Sequence, residues 1–258
     1  MKILPMILIS TSLWAGIQGG NVDYKAGETV MKGYLVYDDA FTGKRPCVLV
    51  VHEWWGHNAY ARSRADQLAK MGYLALAVDM YGEGKTADHP ETAGQFAGAV
   101  MSNFPEAKSR FEAALNLLKS HPMADADHTA AIGYCFGGGV VLEMAKSGVD
   151  LDAVASFHGS LTQINHPKPN TIQTEILVCN GADDKFIPQE AIDGFKKEME
   201  SAGIKFQFIN YPGAVHSFTN PDANQFGEKF GLPLAYNKEA DEASWKAMSE
   251  MLKRVFAQ

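Results

Sequence analysis

The chain has 258 residues, 46% of them apolar and 21% charged, with a formal net charge of -7. These values exclude a disordered or low-complexity polypeptide. The acidic balance, with no basic run, argues against a nucleic-acid partner. A single domain of this length can bury a large core, and α/β folds often run this long undivided.

Met1-Lys2 is followed by the apolar stretch Ile3 to Ile17 and then by Gly19 and Gly20. This layout predicts a signal peptide over residues 1–20, a single domain over 21–258, and export to the periplasm or beyond the cell. The stretch is short for a spanning helix, and no Cys follows it to carry a lipid, so no stable membrane anchor is expected. Leu13 stands where a small residue is preferred for a cut after Ala15, which leaves the cleavage site undefined. The alternative is an apolar first strand.

Strand and helix signals then alternate. VMKGYLVY (30–37) reads as an antiparallel edge strand and PCVLVVHE (46–53) as a buried strand. NAYARSRADQLAKMG (58–72) carries apolar residues at helical spacing and ends on glycine. YLALAVDMYG (73–82) is a strand. PEAKSRFEAALNLLKSHP (105–122) is a helix bracketed by prolines. HTAAIGYC (128–135) is a strand and GGGVVLEMAKSG (137–148) a helix. LDAVASFHG (151–159) and TEILVCNGADD (174–184) are strands. PQEAIDGFKKEMESAG (188–203) is a helix, KFQFINYPG (205–213) a strand, and NKEADEASWKAMSEMLKRVF (237–256) the last helix. Apolar strands between helices predict a mostly parallel sheet covered on both faces. Ligands bind such sheets at the carboxyl ends of the strands.

The stretch HEWWGH (52–57) nearly spells the zinc-protease pattern H-E-x-x-H. That pattern needs two histidines four apart on one helix. Here they are five apart, after a strand and around a turn glycine, so a zinc site is not expected.

GYCFGG (133–138) lies between a strand and a helix. It matches the nucleophile elbow G-x-S-x-G with Cys135 in place of serine. Glycines are needed there because side chains would clash in a sharp strand-to-helix turn. The helix N-terminus favours a thiolate. The other cysteines, Cys47 and Cys179, lie inside strand-like runs and read as small buried apolar residues. Three cysteines make no disulfide framework. NGADDKFIP (180–188) carries Asp183 and Asp184 after the next-but-one strand, and YPGAVHSF (211–218) carries His216 after the strand beyond. The order nucleophile, acid, histidine is that of α/β-hydrolases, and each member follows a different strand. His89, His121, His128 and His166 fall in polar loops. His52, His57 and His158 end near the same rim, either lining a pocket or holding structural hydrogen bonds.

On HEWWG, VDMYG, GYCFGG, GADDKFIP and YPGAVHSF, the chain from about Tyr34 onward resembles the dienelactone hydrolase family. The resemblance implies the α/β-hydrolase fold, Cys135 as nucleophile, His216 as base and Asp184 rather than Asp183 as the acid. It implies an oxyanion hole built from the backbone N–H groups of Trp54 and Phe136. It also implies that Glu53 acts as an auxiliary acid on the resting thiol. The family's two substrate-binding arginines correspond to Glu83 and Asn220, so dienelactone itself is not the expected substrate. The expected activity is hydrolysis of a small ester or lactone through a thioester, with no metal or organic cofactor. Trp55, Tyr81 and Phe218 are expected to contact substrate. The alternatives are a broader acyl hydrolase acting on peptides or sugar esters, and a non-catalytic binding protein on the same fold. The residues do not specify an oligomeric state.

Overall fold

Ile17–Ala26, a polar stretch with two adjacent glycines, forms the first strand, β1. The computed structural model describes residues 16–161 and 163–257. The predicted signal segment therefore lies largely outside the described residues, and of its last positions Ile17 to Gly20 belong to β1. β1 pairs antiparallel along its whole length with β2 (Thr29–Asp38). This corrects the expectation that residues 30–37 form the edge: β2 lies one strand in, and β1 covers it.

The remaining elements follow in alternation. They are β3 (Arg45–Val51), α1 (Ala59–Lys70), β4 (Leu74–Val78), α2 (Pro90–Ser102), α3 (Phe104–Lys119), β5 (Ala124–Tyr134), α4 (Phe136–Lys146) and β6 (Ala153–Phe157). Then come β7 (Glu175–Gly181), α5 (Gln189–Ala202), β8 (Phe206–Tyr211), α6 (Ala223–Phe230) and α7 (Lys238–Val255). The eight strands form one sheet in the order β1-β2-β4-β3-β5-β6-β7-β8. β2 meets β4 antiparallel, and every later pairing is parallel. This is the mostly parallel α/β-hydrolase architecture that the sequence predicts.

The parallel strands are buried on both faces, which explains their unbroken apolar runs. Successive side chains of β3 point to opposite sides. Leu49 and Val51 pack with α3, α4 and α5 through Phe111, Val141 and Phe195. Val48 and Val50 pack with α1 and α7 through Leu68 and Leu252. Helix starts are set by side-chain caps. Asn58 accepts from the N–H groups of Tyr60 and Ala61, and Asn237 from that of Ala240. The chain leaves β3 toward β4 on one side and returns as β5 on the other. The loops after β3 and β5 thus flank a topological switch point, where such sheets open a crevice. No helix among the described residues is long and apolar enough to cross a membrane.

Candidate active site

The turn from β5 into α4 puts Cys135 at φ 52°, ψ -114°, a conformation costly for any residue with a Cβ. The glycines around it are sterically required. A Cβ on Gly133 would sit 2.1 Å from the Gly137 carbonyl oxygen, and one on Gly137 would sit 2.4 Å from that of Val51. The Gly137 N–H also donates to the His52 carbonyl at 3.1 Å, tying the helix start to the loop after β3. Cys135 is partly exposed, whereas Cys47 and Cys179 are buried.

The loops after β7 and β8 meet the thiol. His216 Nδ1 lies 2.7 Å from Asp184 Oδ2, and the Phe186 N–H donates to Asp184 Oδ1 at 2.8 Å. Asp183, one residue earlier, faces solvent. Burial disfavours charge on His216. The charge and hydrogen bond of Cys135, together with Asp184, overcome it and raise the imidazole to about 10. The arrangement is a hydrogen-bonded imidazole–carboxylate pair whose imidazole lines the same cavity as the Cys135 thiol. Among the described residues, the backbone N–H groups of Trp54 and Phe136 have no hydrogen-bond partner. Phe136 is the first residue of α4, where an N–H has no partner within the helix.

A cavity of about 320 Å³ opens over the sulfur. Cys135, Phe136 and Gly139 form its floor, Trp54 one side, and Ala97, Gly98 and Met101 of α2 another. Ile187, Phe186, Leu234 and His216 complete the mouth with Ser160. None of these residues carries a Lys, Arg, Asp or Glu side chain.

His158 supports Cys135 from behind. Its Nδ1 accepts the Cys135 N–H at 3.1 Å, and its Nε2 lies 2.7 Å from Thr219 Oγ1. Burial, then the nearby charge of His216, holds His158 well below the usual imidazole range and keeps it neutral. His52 is structural in the same way. Its Nε2 accepts the Met80 N–H at 3.3 Å and its Nδ1 lies 2.5 Å from the Glu53 carbonyl, so both ring nitrogens are engaged by backbone.

Comparison with known proteins places this geometry. The model of the dienelactone hydrolase family matches residues 31–256. The chain belongs to the dienelactone hydrolase family. Membership makes it an enzyme of the carboxylic ester hydrolase class. It is 29% identical over 247 residues to an Escherichia coli (strain K12) protein named "Putative carboxymethylenebutenolidase", covering 87% of this chain and 82% of that one. A solved dienelactone hydrolase-like promiscuous phosphotriesterase from metagenomic libraries is 34% identical with a TM-score of 0.84. The alignment covers 93% of this chain and 99% of that one. The solved protein m3DLH is 36% identical with a TM-score of 0.86, again over 93% and 99%.

Several other residues expected at the site lie apart from the cavity lining. Both oxygens of the buried Glu53 have partners other than the thiol: Oε1 accepts from Ser217 Oγ at 2.8 Å and Oε2 from Asn220 Nδ2 at 2.6 Å. Asn220, at the position of a family arginine, is thus a partner of Glu53 rather than a cavity residue. Glu83, at the other such position, pairs with Lys85 on the surface. Trp55, Tyr81 and Phe218 do not line the cavity. Trp55 stacks on Phe226 and Phe230, with ring centroids 4.6 and 6.0 Å away. Tyr81 donates its hydroxyl to the Trp54 carbonyl at 2.9 Å, bracing that loop. Phe218 is fully buried against His158 and Tyr211. The walls formed by α2, Phe186 and Leu234 were not foreseen. The one readable signal among them was Phe186, a large apolar side chain in a polar loop two residues after Asp184.

Proposed function

We propose that the protein hydrolyses small, uncharged carboxylic esters or lactones with Cys135 as nucleophile. The observation that carries this reading is the Asp184–His216 hydrogen bond, with His216 and Cys135 lining one apolar cavity. Cys135 Sγ attacks the carbonyl carbon and forms a C–S bond, and the oxyanion is met by the N–H groups of Trp54 and Phe136, each worth about 3 kcal/mol. As the C–O bond breaks, the alkoxide leaves with a proton from His216. Water then attacks the thioester, His216 takes its proton, and the acid departs as the thiol re-forms. One water is consumed for one acid and one alcohol. Asp184 holds Nδ1, which directs Nε2 to the reacting atoms. The cavity lining holds no Lys or Arg, which disfavours dienelactone, whose carboxylate would find no bidentate partner. The deciding test is turnover of a p-nitrophenyl ester by the wild type and by Cys135→Ala. The variant should lose activity and keep its fold; wild-type rates in the variant would remove Cys135 from the mechanism.

A second reading is favoured by the 34% identical solved relative, which is named a promiscuous phosphotriesterase. A neutral phosphotriester can be attacked by the same sulfur, forming a P–S bond and expelling an aryl alkoxide that His216 protonates. Water then releases the phosphodiester. Paraoxon assayed beside the ester, with the same Cys135→Ala control, tests it.

Export is also proposed, from Met1-Lys2 and the apolar stretch that follows. A cut after Ala15 or Gly16 leaves β1 whole, whereas a cut after Gly20 removes four of its ten paired residues. The intact mass of protein recovered from the periplasm or medium decides the site and the claim together.

A further inference from the structure

The cavity has two unlike halves, and their chemistry assigns the two halves of the substrate. His216 must protonate the leaving oxygen, so the alcohol lies on its side. There Phe186 stands edge-on to the imidazole, with centroids 5.0 Å apart, and Leu234 bridges to His216 through the backbone. Phe186 is also the most exposed large apolar side chain among the described residues, at 49%. The oxyanion lies between Trp54 and Phe136. What remains for the acyl substituent is the wall formed by Ala97, Gly98 and Met101.

That wall is built by α2. α2 reads PETAGQFAGAVMS, and it buries only Ala93 and Val100. Ala97, Gly98 and Met101 share a face at helical spacing and turn toward the nucleophile. Ala97 contributes only a methyl group and Gly98 nothing, which leaves the space open. A Cβ built on Gly98 meets no atom within 4 Å.

We propose that α2 forms an acyl-binding pocket for an unbranched aliphatic chain of several carbons, and that Ala97 and Met101 set its length. The proposal rests on the cysteine hydrolase reading and narrows it to neutral aliphatic esters. An acyl chain ending in a carboxylate would lose its hydration and find no cation on this wall.

The test compares wild type, Ala97→Leu and Met101→Ala on p-nitrophenyl acetate, butyrate, hexanoate and octanoate. In the wild type, kcat/KM rises by about fourfold for each methylene that finds apolar wall. Ala97→Leu lowers the octanoate-to-acetate ratio by about tenfold or more, and Met101→Ala raises it. General damage to the helix would not move the two ratios in opposite directions. Ala99→Leu, which adds the same bulk toward the neighbouring hollow lined by Tyr81, Phe96 and Arg110, leaves the ratio unchanged. A parallel series reads the pocket without turnover. Alkyl methanethiosulfonates form an Sγ–S bond and release methanesulfinate, and intact mass follows the rate. Cys47 and Cys179 are fully buried, so labelling of the folded protein reports Cys135. Ala97→Leu should slow the hexyl reagent relative to the methyl one. Length ratios unmoved by both variants in the thiol series overturn the acyl pocket, whatever the esters do. A thiol series that behaves as expected, beside a wild type inactive on every ester, upholds the pocket and removes the hydrolase reading.

Discussion

Ser217 Oγ donates to Glu53 Oε1 across 2.8 Å, joining the residue after His216 to the loop that carries Trp54. Ser217 is held at φ 57°, so the carboxylate secures a strained turn beside the imidazole. Burial raises the Glu53 carboxyl, and the hydrogen bonds from Ser217 and Asn220 oppose that rise. Glu53→Ala leaves two buried donors unpaired and should destabilise the protein by about 2–4 kcal/mol in urea unfolding. kcat should fall by about tenfold or more as the imidazole loses its alignment. Glu53→Gln retains one acceptor oxygen and should recover part of both losses. A Glu53→Gln variant with unchanged stability but abolished alkylation of Cys135 would instead place the carboxylate on the thiol.

His216 makes stability depend on pH. Its unfolded value is 6.5 and its folded value about 10, the charge of Cys135 being the largest of the causes that raise it. For a base raised on folding, the stabilisation is complete below 6.5 and is lost as pH climbs toward 10. Burial of Cys47 and Cys179 pushes both thiols to about 12, which adds a separate loss above pH 9. The His216 contribution is therefore read between pH 6.5 and 9. Urea midpoints should fall across that window in the wild type and fall less in Cys135→Ala. Parallel curves for the two proteins would show that the imidazolium and the sulfur do not interact.

The strands were legible because burial on both faces writes them as apolar runs: PCVLVV and YLALAV need no context. β1, α2 and α6 were not. β1 is an exposed edge whose partner hides its backbone but few of its side chains. α2 has small residues where a helix normally shows an apolar stripe, and α6 is a single short turn-like helix of eight residues. The loops that carry Cys135, Asp184 and His216 could be read from turn chemistry, since each must start where a strand ends. The cavity wall could not, because Ala97, Phe186 and Leu234 come from three segments with no shared pattern. Trp55, Tyr81 and Phe218 show the converse error. Aromatic residues next to a reactive loop bury their large faces against one another, and the cavity is left to smaller neighbours.

Strain at Cys135 predicts an inverted ranking of two cavity variants. Ala and Gly at position 135 both remove the sulfur, so their difference isolates the Cβ at φ 52°. Cys135→Gly should be more stable than Cys135→Ala by about 1 kcal/mol, although glycine is ordinarily the less stable choice at a helix start. Urea unfolding with equal slopes for the two variants measures it. Equal stability, or alanine ahead, would mean that the elbow relaxes once the thiol is gone.

The last device lies behind Cys135 and His216. Arg64 Nη2 meets Asp241 Oδ1 at 2.6 Å, with only 5% and 13% of the two side chains exposed, and the same nitrogen donates to the Thr219 carbonyl at 2.5 Å. Thr219 Oγ1 lies 2.6 Å from the Tyr60 hydroxyl and 2.7 Å from His158, whose other nitrogen accepts the Cys135 N–H. Asp241→Asn removes the counter-charge and should cost about 3–5 kcal/mol, because a buried guanidinium is left without a partner anion. Replacing both groups by apolar residues, Arg64→Met with Asp241→Leu, should restore most of that stability. It should not restore the rate. With Arg64 absent, the Thr219 carbonyl loses its donor, and the chain of hydrogen bonds that fixes His158 loses its anchor on α7. A double variant with wild-type stability and wild-type kcat would show that the network serves packing alone; recovered stability with a lowered kcat would show that it holds the nucleophile in place.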